Sequence, residues 1–174
     1  MLDRVEIVQI VVLAIAFVAC VTDIRTRRIP NVLTFGAAAA GLGFHLITGA
    51  SHGALVASSG WLVGVLVFFV PFALGGLGAG DVKLLGALGA WLGPKDIVWV
   101  ALYSGICGGI AAIGVSLLKG YLSQALKNIY LLLMHWRVAG VRPLHEVSLE
   151  GSSGPRLAYA VPILCGLLAA IWLE

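Results

Sequence analysis

Two aspartates in this chain lie at the ends of long apolar segments, where a charged side chain is unusual. Asp23 ends the first apolar run, and Asp81 stands between two further runs. An ionised carboxylate at membrane depth costs on the order of a few kcal/mol, so an acid kept there is a functional hypothesis by default. Two such acids suggest a pair, and a pair of carboxyl groups forms the catalytic site of an aspartic protease.

The chemistry of such a pair follows from electrostatics. Two carboxylates in close contact cannot both ionise easily, so they share one proton near neutral pH. The ionised one acts as a base on a bound water, which attacks a peptide carbonyl, while the protonated one donates a hydrogen bond to the carbonyl oxygen. This mechanism needs no metal and no cofactor. Which aspartate starts as the base is left open.

Glycines precede Asp81 in the segment 75–81, which reads Gly-Gly-Leu-Gly-Ala-Gly-Asp. Each glycine costs a helix about 1 kcal/mol against alanine, so the segment predicts a break between two helices. The missing side chains would let an extended substrate backbone come close. In an alternative interpretation, Asp81 only caps the helix that follows. Lys83 has several possible partners: it pairs with a carboxylate or a lipid phosphate, or extends its amine to the headgroups.

A basic segment follows Asp23. Arg25, Arg27 and Arg28 also fit an ordinary cytoplasmic flank of a membrane helix, with Asp23 paired to one of them. The residues Ile-Pro-Asn at 29–31 argue against a plain basic flank, because they predict a short, stiff hairpin between the first two helices. Such a hairpin would hold Asp23 on a helix end.

The composition identifies the class of protein. Of 174 residues, 60% are hydrophobic and 11% are charged, against about 25% charged in a soluble domain. We therefore expect an all-α, polytopic membrane protein that forms a single domain over residues 1–174. A spanning helix needs about 20 apolar residues. The apolar runs predict about six transmembrane helices, at roughly 7–22, 32–47, 54–74, 82–92, 97–118 and 157–173.

Lysine and arginine placement orients this layout. If the N-terminus faces outward, only Arg4 and Lys95 lie outside, and the other nine of the 11 basic residues lie inside, as the positive-inside rule requires. Both termini are then outside, and Asp23 and Asp81 reach the same depth at the cytoplasmic side. The basic residues expected inside are Arg25, Arg27, Arg28, Lys83, Lys119, Lys127, Arg137, Arg142 and Arg156.

Residues 119–155 are predicted to form a cytoplasmic or interfacial loop. Apolar residues recur there at helical spacing as far as Trp136, which indicates an amphipathic helix on the inner leaflet. The three cysteines, Cys20, Cys107 and Cys165, stand singly, and the histidines form no close pair. We therefore expect no metal site, and we expect no nucleic-acid partner.

Two segments resemble the type IV prepilin peptidases, which are membrane aspartic proteases with a Gly-x-Gly-Asp signature. The first runs from Asp23 through 29–31. The second, at 78–93, reads Gly-Ala-Gly-Asp-Val-Lys-Leu-Leu-Gly-Ala-Leu-Gly-Ala-Trp-Leu-Gly. Tyr-Ala-Val-Pro at 159–162 is a looser likeness, to which we assign no contact.

The resemblance implies roles for five residues. Asp23 and Asp81 would be the catalytic pair, Gly78 and Gly80 would support the site, and Lys83 would lie beside it. The substrates would be prepilins or pseudopilins, which are membrane-anchored helices with a short basic leader. Cleavage would occur after a glycine, just ahead of the hydrophobic helix, at the cytoplasmic face of the bacterial inner membrane, among membrane lipids. Oligomeric state is left open.

Long members of that family carry two Cys-x-x-Cys pairs in an N-terminal region and methylate the new N-terminus. This chain has no such pair. It resembles the short forms, such as those of tight-adherence (Flp-type) pilus systems, and we do not expect methyltransferase activity.

Two other classes of membrane protein share some of these features. Presenilin-like and signal-peptide-peptidase-like proteases also use Gly-x-Gly-Asp, but their first acid follows a tyrosine, whereas Asp23 follows Thr22. A small membrane scaffold or secondary transporter would also contain broken helices and intramembrane acids. Against that alternative, the two halves show no repeat, and both acids are expected near one membrane surface instead of the midplane.

Overall fold

A computed structural model describes residues 3–120 and 158–173, together with Ser123, Lys127, Tyr130 and Met134. All regular secondary structure in that part of the chain is helical, which confirms the predicted all-α class. The helices are α1 (Arg4–Thr26), α2 (Asn31–Ala73), α3 (Ala79–Leu92), α4 (Pro94–Leu118) and α5 (Ala160–Leu173).

The long helix α2 consists of two helical runs joined at Ala50. This residue has φ 47° and ψ −136°, far from helical values, and a positive φ is uncommon for a residue with a side chain. Just beyond it, Gly53 packs so closely on His45 that an added Cβ would collide with the His45 carbonyl oxygen. Residues 31–49 and 51–73 therefore lie where the second and third spans were predicted.

Contacts with α3 show that the two halves of α2 run in opposite directions. The first half advances along α3 in parallel, whereas the second half runs back along it. The pairs are Asn31–Lys83 and Ala37–Trp91 for the first half, and Gly60–Gly89 and Gly64–Leu85 for the second.

Helix α3 is the centre of the bundle, because residues 84–91 are all buried. Glycine makes this packing possible: a Cβ on Gly60 would collide with the carbonyl oxygen of Gly89, and one on Gly89 with that of Gly60. Small residues allow such backbone contact between membrane helices. Gly64 packs in the same way, since a Cβ there would lie 2.6 Å from the carbonyl oxygen of Leu85, whereas a Cβ on Gly105 would meet nothing within 4 Å.

Substitution of Gly89 with leucine is expected to destabilise the bundle by at least about 1–3 kcal/mol, the usual cost of overpacking, because neither backbone can move aside. The measurement is thermal unfolding of the purified protein in detergent. Gly105→Leu is the matched control, since a Cβ there meets nothing within 4 Å. Equal melting temperatures for the two variants would contradict the packing argument.

The outer surface of the bundle is apolar. Val32 and Ile47, for example, are 86% and 87% exposed. Among the described residues, α1, α2 and α4 are long and apolar enough to cross a membrane, and α5 is a shorter apolar helix. The chain is therefore a helical membrane protein, while the count of six spans stays a prediction.

The predicted amphipathic helix within 119–155 falls mostly outside the described residues. Four positions there, Ser123, Lys127, Tyr130 and Met134, are helical and exposed.

Candidate active site

Asp23 lies in the last turn of α1 and is only 8% exposed. Helix α1 ends just beyond it, because Arg27 adopts a left-handed conformation (φ 55°, ψ 29°) and donates its backbone N–H to the Asp23 carbonyl at 2.8 Å. The Asp23 carboxylate accepts a hydrogen bond through Oδ2 from the backbone N–H of Ala160, at 3.3 Å. The first residue of α5 therefore holds the acid in place.

From the sequence, no contact was assigned to the segment 159–162, and the structure supplies one through Ala160. Periodicity within one helix cannot show which amide of a distant helix faces an acid. The available signal was the isolated likeness of Tyr-Ala-Val-Pro in an otherwise plain apolar run.

Asp81 lies in the first turn of α3 and is also 8% exposed. Its Oδ2 accepts a hydrogen bond from the backbone N–H of Gly78 at 3.1 Å. Gly78, with an extended backbone (φ −85°, ψ 151°), is the N-cap residue. The alternative interpretation of Asp81 thus describes a real contact, since the carboxylate satisfies one free amide at the helix start. Asp81 is the third residue of α3, three positions beyond the N-cap Gly78.

The two acids, on different helices, line the same cavity of about 450 Å³. The cavity lies at the end of the bundle where α1 stops, α2 starts and α3 starts. It is lined by Asp23, Arg27, Arg28, Ile29, Pro30, Asn31, Gly78, Ala79, Gly80, Asp81 and Lys83.

The two predicted supporting glycines lie in the wall of this cavity. A Cβ on Gly78 would stand 3.2 Å from Oδ2 of Asp81, and one on Gly80 would stand 3.3 Å from the Cβ of Ile29. Both distances are tighter than ordinary contact. The glycines therefore allow the loop before α3 to pack against Asp81 and against the α1–α2 connection.

Lys83 lines the same cavity but contacts neither aspartate in a described hydrogen bond. Its Nζ donates to Oδ1 of Asn31 at 2.9 Å and lies 5.4 Å from the ring centre of Phe35. Among the partners considered for Lys83, the sequence analysis missed Asn31. The bond joins the two segments that resemble the prepilin peptidases.

Substitution of Lys83 with methionine and of Asn31 with alanine is expected to show that these residues act as a unit. Each change should weaken catalysis, and the double variant should be no worse than either single one. This corresponds to a coupling of about 1 kcal/mol between them. The measurement is the rate of substrate cleavage for all four proteins. If the effects of the two substitutions on the cleavage rate simply add, the hydrogen bond is unimportant for the site.

Tyr159 is a further residue near the site that the sequence analysis did not name as functional. It directly precedes Ala160, whose N–H binds Asp23, and its ring packs edge-on against Phe68 with 5.8 Å between centroids. Gly108 of α4 makes room for it, since a Cβ there would come within 2.8 Å of the tyrosine oxygen. Tyr159 thus fills the space between α2, α4 and the start of α5.

Within residues 3–120 and 158–173, no group of three His, Cys, Asp or Glu side chains could hold a metal ion. The cavity places two carboxyl groups in one site, and such a pair can act as base and acid when one is ionised and the other protonated. The fold and the site together define a helical membrane protein with paired buried carboxylates at one end of its bundle.

Comparison with known proteins identifies the family. The model of the type IV leader peptidase family matches residues 10–113, which is more than half of the chain and includes both aspartates. The chain belongs to this family. The resemblance seen in the sequence is confirmed.

Individual relatives agree with this result. The chain is 35% identical over 118 residues to the prepilin leader peptidase/N-methyltransferase of Aeromonas salmonicida (strain A449), and 36% identical over 118 residues to the corresponding protein of Aeromonas hydrophila. Each alignment covers 64% of this chain and 39% of the relative. A type 4 prepilin-like proteins leader peptide-processing enzyme of Escherichia coli O78:H11 is 35% identical over 105 residues, covering 55% of this chain and 38% of its own.

The chain thus spans about two fifths of the length of these curated relatives. No solved structure matches it.

Proposed function

We propose that this protein is an aspartic endopeptidase that removes the leader peptide of type IV prepilins or pseudopilins. The observation that carries the proposal is the shared cavity: Asp23 and Asp81, from the end of α1 and the start of α3, are buried in the wall of one pocket. The names of the relatives, which are leader peptidases, support the same reaction.

The geometry supports a direct attack by water. A scissile peptide enters the cavity with a water molecule between it and the two acids. The ionised carboxylate takes a proton from the water as its oxygen bonds to the peptide carbon, and the protonated one donates to the carbonyl oxygen. Collapse of the tetrahedral intermediate breaks the C–N bond, and the leaving nitrogen takes up a proton. The products are the leader, with a new carboxylate, and the mature N-terminus.

The two backbone N–H groups that donate to the acids contribute to this mechanism by orienting the carboxyl groups. Gly78 N–H and Ala160 N–H each hold one Oδ2, so each carboxyl group has a fixed orientation before substrate arrives. Preorganised polar groups of this kind lower the cost of forming charge in the transition state.

We also propose the arrangement in the membrane that the basic residues predict. Six spans, counting both halves of α2, place both termini outside and the cavity at the cytoplasmic side of the inner membrane. Arg27, Arg28 and Lys83, which line the cavity, fit a cytoplasmic location because basic residues accumulate there. A transporter with acids at the midplane is not favoured, since both acids lie at one end of the bundle.

The decisive experiment is cleavage by the purified chain. The protein, reconstituted in vesicles with a purified membrane-anchored prepilin, should convert the prepilin to a shorter product whose N-terminus, read by mass spectrometry, begins just ahead of the hydrophobic segment. Cleavage should persist in the presence of a metal chelator. Failure to cleave any of a set of prepilins and pseudopilins, by a protein shown to be folded, would contradict the proposal.

A further inference from the structure

A second concave surface lies next to the candidate site. It is a cleft of about 300 Å³ between the two halves of α2 and α3, and it has no charged residue in its wall. Four of the residues in the wall are small and the other three are large and apolar. They are Ala38, Ala39, Ser58 and Ala90, and Phe35, Leu42 and Trp61.

The cleft is contiguous with the cavity of the two acids. Phe35 belongs to the wall of the cleft, and its ring lies under the ammonium group of Lys83. Lys83 in turn belongs to the wall of the cavity. One residue contact therefore separates a pocket lined by five charged side chains from a groove lined by none.

We infer that this cleft binds the apolar segment of the prepilin that continues from the scissile bond, and that it thereby determines substrate specificity. The inference rests on the proposed function. A substrate held with one peptide bond at the acids must leave the cavity on both sides. The cleft is an adjoining apolar surface, so it stabilises the side of the substrate that is itself apolar.

The small residues suit this role. Ala38 and Ala39, which are not buried, let a helix or an extended chain approach the enzyme backbone, as small residues do between membrane helices. Phe35 and Trp61 remain 53% and 38% exposed, so their rings are available to contact the substrate. A lipid chain resting in the cleft is the competing occupant, and the test separates the two.

The test compares two neighbouring alanines. Ala39 and Ala40 are both exposed on the first half of α2, but only Ala39 lines the cleft. Ala39→Trp should fill the cleft and reduce kcat/KM for a membrane-anchored prepilin about tenfold or more, the loss of burying about one large apolar side chain. The reduction should fall mainly on KM. Ala40→Trp should stay within about twofold of the wild type.

A photo-crosslinking amino acid at the same two positions gives a direct readout. In a background carrying Asp81→Asn, position 39 should form an adduct with the apolar segment of the prepilin, and position 40 should not. If the wild type cleaves while both tryptophan variants behave alike, or both positions crosslink equally, the cleft is not the binding site and the peptidase proposal still stands. If the wild type itself does not cleave, the proposed function fails and this inference fails with it.

Discussion

Replacement of either Asp23 or Asp81 with asparagine is expected to abolish cleavage, with a loss of about a thousandfold or more in kcat. The substitution is nearly isosteric, and the amide oxygen of asparagine still accepts a hydrogen bond. The contacts of the two carboxylates with Ala160 N–H and Gly78 N–H can therefore persist, and the variants should fold. What asparagine cannot do is exchange a proton, which the proposed mechanism requires of both acids.

The control for this prediction is Asp96→Asn. Asp96 is in the first turn of α4, as Asp81 is in the first turn of α3, but it lines a different cavity together with Arg4 and His45. If Asp81 served only to cap a helix, both substitutions would have the same small effect on stability and activity. We expect Asp96→Asn to cleave at the wild-type rate.

The double variant sharpens the same test. In the proposed mechanism the two acids act on one water, so Asp23→Asn and Asp81→Asn together should be about as inactive as either alone. Groups that work as a unit are strongly non-additive. Leader removal followed on a gel, with single-turnover rates for the residual activity, measures this. Near-normal cleavage by either single variant would show that the pair is not the catalytic apparatus.

Replacement of Ala160 with proline is expected to reduce kcat about tenfold to a hundredfold, because it deletes the amide hydrogen that holds Asp23. A hydrogen bond to a charged group contributes about 1.5–3 kcal/mol. Ala160 is the first residue of α5, and the first helical position is where proline is best tolerated. The helix itself therefore does not need this amide.

Ala160→Gly separates the amide from the side chain. Glycine removes the buried methyl group and keeps the N–H, so it should retain most of the activity lost with proline. Kinetics and thermal unfolding of both variants provide the comparison. The expectation is a fall in kcat for Ala160→Pro at a melting temperature similar to that of Ala160→Gly; equal rates for the two would mean that the contact at Asp23 is dispensable.

Local signals in the sequence accounted for most of the helices. The glycines in 75–80 end α2 at Ala73 and delay the start of α3 to Ala79, as their cost within a helix requires. Pro30 and Asn31 likewise mark the start of α2. The reversal at Ala50 was predicted only as a gap between two spans. The chain reverses within so few residues because residues 45 and 53 pack closely together, and a local sequence pattern does not reveal that contact.

The sequence could predict how deep in the membrane each acid lies, and this was the predictable part of the site. Charge placement was enough to bring Asp23 and Asp81 to one end of the bundle, where the structure shows them in one cavity; their catalytic role stays a prediction. The contacts of Lys83 with Asn31 and of Asp23 with Ala160 were not predictable. They depend on the rotation of each helix about its own axis, which follows from packing across the whole bundle.

The unequal lengths of α3 and α4 have a consequence for how water reaches the acids. The helices meet at Gly93, so they start level at that end, and α4 has 25 residues against 14 in α3. At 1.5 Å per residue, α4 extends about 16 Å beyond the point where α3 begins. The far end of α4 therefore projects past Asp81 on one side of the cavity, whereas α1 ends and α2 starts beside it. In the proposed orientation this end of the bundle faces the cytosol, so water reaches the two acids from there and needs no channel through the protein.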